Sequence, residues 1–362
     1  MHGGDIYNNK IEYDFSVNVN PFGPYEEVKE AVVDAASNLN VYPEYSSETL
    51  KKSISEYHNI PSEWVCVTNG ASEALSAIIG NQYIHDVIIE TPSFFGYEAS
   101  LNPEQQLHTY TRNTFLKLNE NMIPRNSILV LGNPSNPTGD YTDAFIVNSL
   151  YKRVRDARGI LLVDESFLSL SDYAEKSLIK YIEKDPEYYD SLVVVRSFTK
   201  SFSIPSIRLG YFVCSDNFFV NVIQNSLPEW NISKIAQVAG IECIKSASRV
   251  ADDYKKIKAL KKRMEGKLKE LGFLVYESAT NYILFAGKND LYEKLLEKKI
   301  LIRDCSDYRG IDEVIDKMLC SDLSMNSNNL SVSGTGIYRI AVKTKEENDI
   351  LIKALEGILL TE

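Results

Sequence analysis

Between Trp64 and Ser215 the chain repeats one unit: a short apolar run, a turn, and a stretch with helical spacing. Trp64–Val67, Val87–Glu90, Ile128–Leu131, Ile160–Val163 and Leu192–Val195 are each rich in Val, Ile or Leu. None shows polar alternation, which is the pattern of strands covered on both faces. Arg208–Cys214 reads as one more strand, and Ser72–Ile79 and Thr142–Ala157 are helix candidates. This repeat leaves few solutions. The expected fold is α/β: a large domain built on a mostly parallel sheet with helices on both faces, receiving ligands at the strand ends.

After Trp230 the pattern changes to a long helical region through Leu271. Short strands (Phe273–Tyr276, Tyr282–Phe285, Tyr338–Val342) and helices follow, which predicts a smaller α+β domain. The expected organisation is a segment over 1–30 that joins the small domain, a large domain over 31–235, and the small domain over 236–362. Within Ile311–Gly336 the second half, Ser321–Asn329, is polar and turn-rich, so a mobile loop is predicted there. Long loops are also where active-site lids are found.

A length of 362 residues suits two domains, and 44% hydrophobic with 25% charged residues is the balance of a globular protein. The net charge of -11 works against a nucleic-acid partner. Lys and Arg cluster only in Lys255–Lys269, interleaved with Ala259, Leu260, Met264 and Leu268, as on a solvated helix face. No apolar run reaches membrane-spanning length, and the N-terminus has no basic-then-apolar signal pattern, so a cytoplasmic location is expected. Cys66, Cys214, Cys243, Cys305 and Cys320 are scattered and odd in number, and read as reduced thiols, mostly buried. With the four histidines equally dispersed, no metal centre is expected.

The candidate chemistry begins where the run Leu192–Val195 ends, in Arg196-Ser197-Phe198-Thr199-Lys200-Ser201-Phe202. A lysine just beyond a buried strand is partly desolvated, which lowers its pKa and makes it a nucleophile towards an aldehyde. Ser197 and Thr199 offer hydroxyls and Arg208 a forked cation, a set able to hold a phosphate. Asp164 ends the run Ile160–Val163, where a carboxylate can pair with a protonated ring nitrogen. It also suits a plain helix cap. In Gly132-Asn133-Pro134-Ser135-Asn136-Pro137-Thr138-Gly139, two Asn-Pro steps set a non-helical turn from which Asn136 can donate to a ring oxygen. Asn69-Gly70-Ala71-Ser72-Glu73 opens a helix whose first N–H groups form an anion site. Phe94, in Pro92-Ser93-Phe94, supplies an aromatic face or plain core.

As an ordered set these stretches resemble the aminotransferase class I/II superfamily of pyridoxal-phosphate (PLP) enzymes, and the likeness covers nearly the whole chain. The resemblance implies PLP as cofactor, with Lys200 as the Schiff-base lysine and proton shuttle and Asp164 as partner of the pyridine nitrogen. It also implies Asn136 on the ring oxygen, Phe94 stacked on the ring, and Ala71, Ser72, Ser197, Thr199 and Arg208 on the phosphate. A homodimer with shared sites is implied too, in which Tyr42 (Val41-Tyr42-Pro43) reaches the phosphate of the neighbouring subunit.

Asp14–Pro21, Ile302–Ser306, Pro228–Asn231, Tyr338–Thr344 and His2-Gly3-Gly4 resemble the threonine-phosphate decarboxylase branch most. Phe167 agrees, since histidinol-phosphate aminotransferases usually carry a tyrosine there. Ser206-Ile207 before Arg208 and the stretch Ile311–Gly336 depart from the family pattern. Arg339 and Arg303, with His2, are the candidates for the anions of a small amino-acid or amino-phosphate substrate. In both branches the bond at Cα held perpendicular to the ring is the one broken, so decarboxylation and transamination stay open. A non-catalytic regulator on the same fold is the reading from another class. A nucleotide-binding protein is disfavoured because neither a Gly-rich dinucleotide turn nor a phosphate loop is present.

Overall fold

The computed structural model describes residues 4–7, 10–321 and 335–360. The apolar runs form a seven-stranded sheet in the order Val65–Thr68, Gly210–Val213, Leu192–Ser197, Ile160–Asp164, Ile128–Gly132, Asp86–Thr91, Gln106–Thr111. Gly210–Val213 runs antiparallel to both neighbours, and the other adjacent pairs are parallel. Successive side chains in a strand point to opposite faces, so a run of unbroken apolar residues needs cover on both. Ile89, Val130, Leu162 and Val193 pack with Ala74, Leu75 and Ile78 of the helix Ala71–Ile79. Ile88, Leu129, Leu161 and Val194 face the other way, towards Val147, Leu150 and Val154 of the helix Ala144–Asp156.

Gln106–Thr111 is a strand that the apolar pattern does not reveal. It is the outermost strand, only half-buried, and its polar composition fits an edge. His108 Nε2 meets Asp86 Oδ1 at 2.7 Å across the pair it forms with Asp86–Thr91.

The long helical region divides into Lys234–Lys245 and Ala247–Glu270. A second sheet, antiparallel throughout, follows in the order Arg303–Asp304, Thr335–Ala341, Tyr282–Lys288, Leu274–Tyr276. Near the N-terminus, Tyr13–Asp14 pairs in parallel with Ile300–Leu301, and the helix Glu26–Ala36 packs on Lys234–Lys245. The mobile-loop expectation needs correction at its start. Ile311–Ser321 is a helix that buries Ile311, Val314, Ile315 and Met318, a spacing the polar run after it obscures. Thr335 and Gly336 open a strand, and 322–334 lie outside the described residues. Among the described residues no helix is long and apolar enough to cross a membrane.

Candidate active site

Register brings the site together. Gly132 lies opposite Asp164, and Gly210 lies opposite both Thr68 and Ser197. Because Gly210–Val213 runs against its neighbours, its leading end meets their carboxyl ends. Arg208, just ahead of it, therefore sits beside Ser197 and the turn after Thr68.

Two glycines permit this approach. A Cβ on Gly210 would lie 2.5 Å from the Ala71 nitrogen, and one on Gly70 would lie 2.8 Å from Arg208 Nη2. Gly70 also has φ +82°, a conformation that side chains disfavour. The helix Ala71–Ile79 thus begins against a guanidinium. No side chain caps it, so its first N–H groups and the positive end of its dipole face the same space as Arg208. Arg208 has φ +57°, left-handed for a non-glycine residue, and its Nη1 donates to the Pro205 carbonyl at 3.3 Å.

Ala71, Ser72, Phe94, Asn136, Asp164, Ser197, Thr199, Lys200, Arg208 and Arg339 line one cavity of about 210 Å³. Lys200 sits in the short helix Phe198–Ser201, which Ser197 starts by accepting the N–H of Thr199 at 3.2 Å. Burial, then the positive charges of Arg339 and Arg208, lower the Lys200 amine to about 8, with Asp164 opposing. Its Nζ lies 5.9 Å from the centre of the Phe167 ring. Asp164 is buried and accepts from Tyr97 Oη at 2.9 Å and from the Ser166 N–H at 2.9 Å. Burial raises its pKa, while those hydrogen bonds and Lys200 hold the rise in check. A carboxyl in that condition gains from any cation that arrives beside it.

Arg339 donates from Nη1 to Asn136 Oδ1 and from Nη2 to the Ser16 carbonyl at 3.2 Å. This leaves the amide of Asn136 as a donor. Arg303 lines a neighbouring cavity of about 420 Å³ that shares Phe94 with the first. It lies directly opposite Arg339 in the antiparallel register, so the two side chains leave the same face of the small sheet. Arg303 reaches Tyr308 Oη at 3.5 Å, and both guanidiniums act on that hydroxyl.

One sequence candidate lies apart from the cavity within its own chain, and one is not among the described residues. Tyr42 is 78% exposed, with its ring centre 5.1 Å from that of Trp230. His2 lies outside the described residues. The structure adds residues to which no role attached in the sequence: Ser16, Val17 and Asn18 from the N-terminal segment, and Tyr97 beneath Asp164. Tyr97 follows Phe94-Phe95-Gly96, so a second aromatic ring close to Phe94 was the available signal.

The residues present fit PLP. A lysine of lowered pKa and a buried carboxyl line the same cavity, and an uncapped helix start packed tightly against Arg208 borders it. The sequence matches the family "Aminotransferase class I and II" over residues 10–355. It is 26% identical to a threonine-phosphate decarboxylase of Salmonella typhimurium, over 96% of this chain and 91% of that protein. It is 30% identical to histidinol-phosphate aminotransferase 2 of Archaeoglobus fulgidus, over 95% of this chain and 92% of the relative. In fold it resembles the crystal structure of the histidinol-phosphate aminotransferase from Clostridium acetobutylicum, with a TM-score of 0.82 and 23% identity, covering 97% of this chain and 100% of that one.

Proposed function

The chain belongs to the aminotransferase class I and II family, and on that premise we propose that it decarboxylates a small phosphorylated amino acid. It is an enzyme whose cofactor is PLP, as in the rest of that family. One observation carries the substrate class. Arg339 and Arg303 are buried, adjacent in register, and without a carboxylate partner among the described residues. Two buried cations left unpaired are costly unless an anion completes them. A phosphate dianion bridging both guanidiniums neutralises the pair.

In this reading the Ala71 and Ser72 N–H groups, Ser197, Thr199 and Arg208 would hold the cofactor phosphate, and Phe94 would cover the ring. Asn136 would donate to the ring oxygen, and Asp164 would pair with the protonated ring nitrogen. When bound, PLP provides an electron sink for the pair released at Cα. Lys200, with its amine near 8, is partly unprotonated at neutral pH; it would hold the cofactor and could deliver a proton to Cα. Phe167, carrying no hydroxyl, presents an apolar ring beside Lys200 and limits water there. In the overall change the bond from Cα to the carboxylate breaks and its electron pair stays with Cα. Carbon dioxide leaves, and one proton is taken up at Cα. The proposal includes a homodimer in which the exposed Tyr42 completes the phosphate site of the second chain.

Transamination of an amino-alcohol phosphate is the second reading, favoured by a histidinol-phosphate aminotransferase relative at 30% identity. The test is incubation of the holoenzyme with O-phospho-L-threonine, O-phospho-L-serine or histidinol phosphate, with and without 2-oxoglutarate. Carbon dioxide released from a phosphorylated amino acid without the keto acid supports decarboxylation. Glutamate formed from histidinol phosphate, with no carbon dioxide from any phosphorylated amino acid, refutes it.

A further inference from the structure

Asn18 is only 2% exposed, lines the cavity that contains Lys200, and leaves both Nδ2 and Oδ1 without a partner. A buried carboxamide is normally hydrogen-bonded at both atoms. Its neighbours are engaged. The Ser16 carbonyl accepts from Arg339, and the Asn20 N–H donates to the Lys200 carbonyl at 2.9 Å. Asn20 Nδ2 donates to the Ser201 carbonyl at 3.1 Å and to Asp253 at 3.0 Å. Asn18 is therefore held on both sides by segments tied to the two sides of the pocket, with its own side chain left over. Arg339 Nε, on a side chain lining the same cavity, is likewise unpartnered.

We infer that Asn18 binds and orients the carboxylate that the substrate loses. The inference rests on the phosphorylated-amino-acid reading above and adds to it the residue that selects the reacting bond. With the substrate phosphate on Arg339 and Arg303, the other anion of the molecule is one bond from Cα and lies close to Lys200. Asn18 offers that carboxylate a hydrogen-bond donor without a charge. The difference matters for the chemistry. The carboxylate charge disappears as carbon dioxide forms, so a cation placed on it would stabilise the ground state more than the transition state. The phosphate keeps its charge throughout, so cations on it carry no such penalty. A neutral amide on the carboxylate and guanidiniums on the phosphate therefore divide orientation from anchoring.

The experiment compares two ligands that differ only in the carboxylate: O-phospho-L-threonine and 1-amino-2-propanol O-phosphate. The holoenzymes of wild type, Asn18→Asp and Asn18→Ala are compared by kcat/KM for the first and by the inhibition constant of the second. Asn18→Asp is expected to lower kcat/KM for O-phospho-L-threonine by about tenfold or more, since a charge-assisted hydrogen bond is exchanged for repulsion. The inhibition constant of the phospho-amine stays within about twofold of wild type, because that ligand has no carboxylate to lose contact with. Asn18→Ala gives a smaller loss in the same direction, with the cofactor absorbance band and the far-UV spectrum unchanged in both variants. Parallel changes in the two constants would overturn the inference alone, as would release of the cofactor by either variant. A wild-type enzyme that neither turns over the amino acid nor is inhibited by the phospho-amine would overturn the phosphate reading, and this inference with it.

Discussion

Replacing Lys200 with Met in the cofactor-free protein measures how strongly the pocket disfavours a charge. Burial, then Arg339 and Arg208, hold this amine at about 8 against an ordinary 10.5. Between those two values the unfolded chain keeps the proton on this lysine and the folded chain gives it up. The unfolded state then binds more protons, so folding stability rises with pH across that window. Below it both states are protonated and the folded state bears the whole cost of the buried charge, about 3 kcal/mol. Methionine is similar in length and carries no charge, so it escapes that cost. Asp164 keeps its hydrogen bonds from Tyr97 and Ser166 in the variant. Lys200→Met is therefore expected to exceed wild type by about 3 kcal/mol near neutral pH, with most of the gap closed by about pH 10. Urea unfolding of the two cofactor-free proteins, run in parallel at several pH values, reads this difference while other titrating groups cancel. A gap that stays constant with pH, or a wild type more stable than the variant at neutral pH, would refute the reasoning.

Asp164→Asn is expected to retain the cofactor but lose roughly three orders of magnitude in turnover, because in the proposed site the ring nitrogen would lose its fixed anion. A near-normal rate would remove Asp164 from the chemistry. Gly70→Ala sets a Cβ against Arg208 and strains a residue at φ +82°. It should weaken cofactor retention about tenfold or more in equilibrium dialysis while leaving the Lys200 adduct chemistry intact. If the proposed dimer shares its sites through Tyr42, mixing Tyr42→Phe with Lys200→Ala chains should restore sites of full cofactor affinity, since a mixed dimer would then hold one site with both lesions and one with neither. No such recovery, or a fully active monomer, would place Tyr42 within its own chain.

The strands of the large sheet are readable because burial on both faces demands unbroken apolar runs, and Ile128–Gly132 and Ile160–Asp164 begin where those runs begin. Gln106–Thr111 is not readable for the opposite reason: an edge strand is exposed along one side, and its Gln, His and Thr residues match that exposure and leave no unbroken apolar run. The site residues divide in the same way. Asp164 ends a strand, and Lys200, Asn136 and Arg208 each follow or precede one by a short turn, so local sequence places them at the strand ends. Asn18 and Arg303 have no such local marker. Asn18 reaches the cavity only because its neighbours bond to Lys200 and Arg339, contacts between segments far apart in the chain. Arg303 belongs to a strand of two residues, too short to leave a periodic pattern.

This division follows from how the two sheets contribute. The large sheet brings together the residues proposed to hold the cofactor through its own register, and a one-residue slip of Gly210–Val213 would turn Arg208 away from Ser197. The groups proposed to bind substrate come instead from the small sheet and the N-terminal segment. The Ser16 carbonyl is an acceptor for Arg339, and the Phe15 carbonyl accepts the N–H of Ala341 at 2.8 Å, so that segment is fixed to the strand carrying Arg339. Its other end is fixed to the Lys200 helix through Asn20. A movement of the small sheet relative to the large one therefore has to shift Asn18 relative to Lys200. Substrate binding across both arginines and Asn18 would draw the two sheets onto the reacting carbon, and the anion that anchors the substrate would also position the bond that breaks.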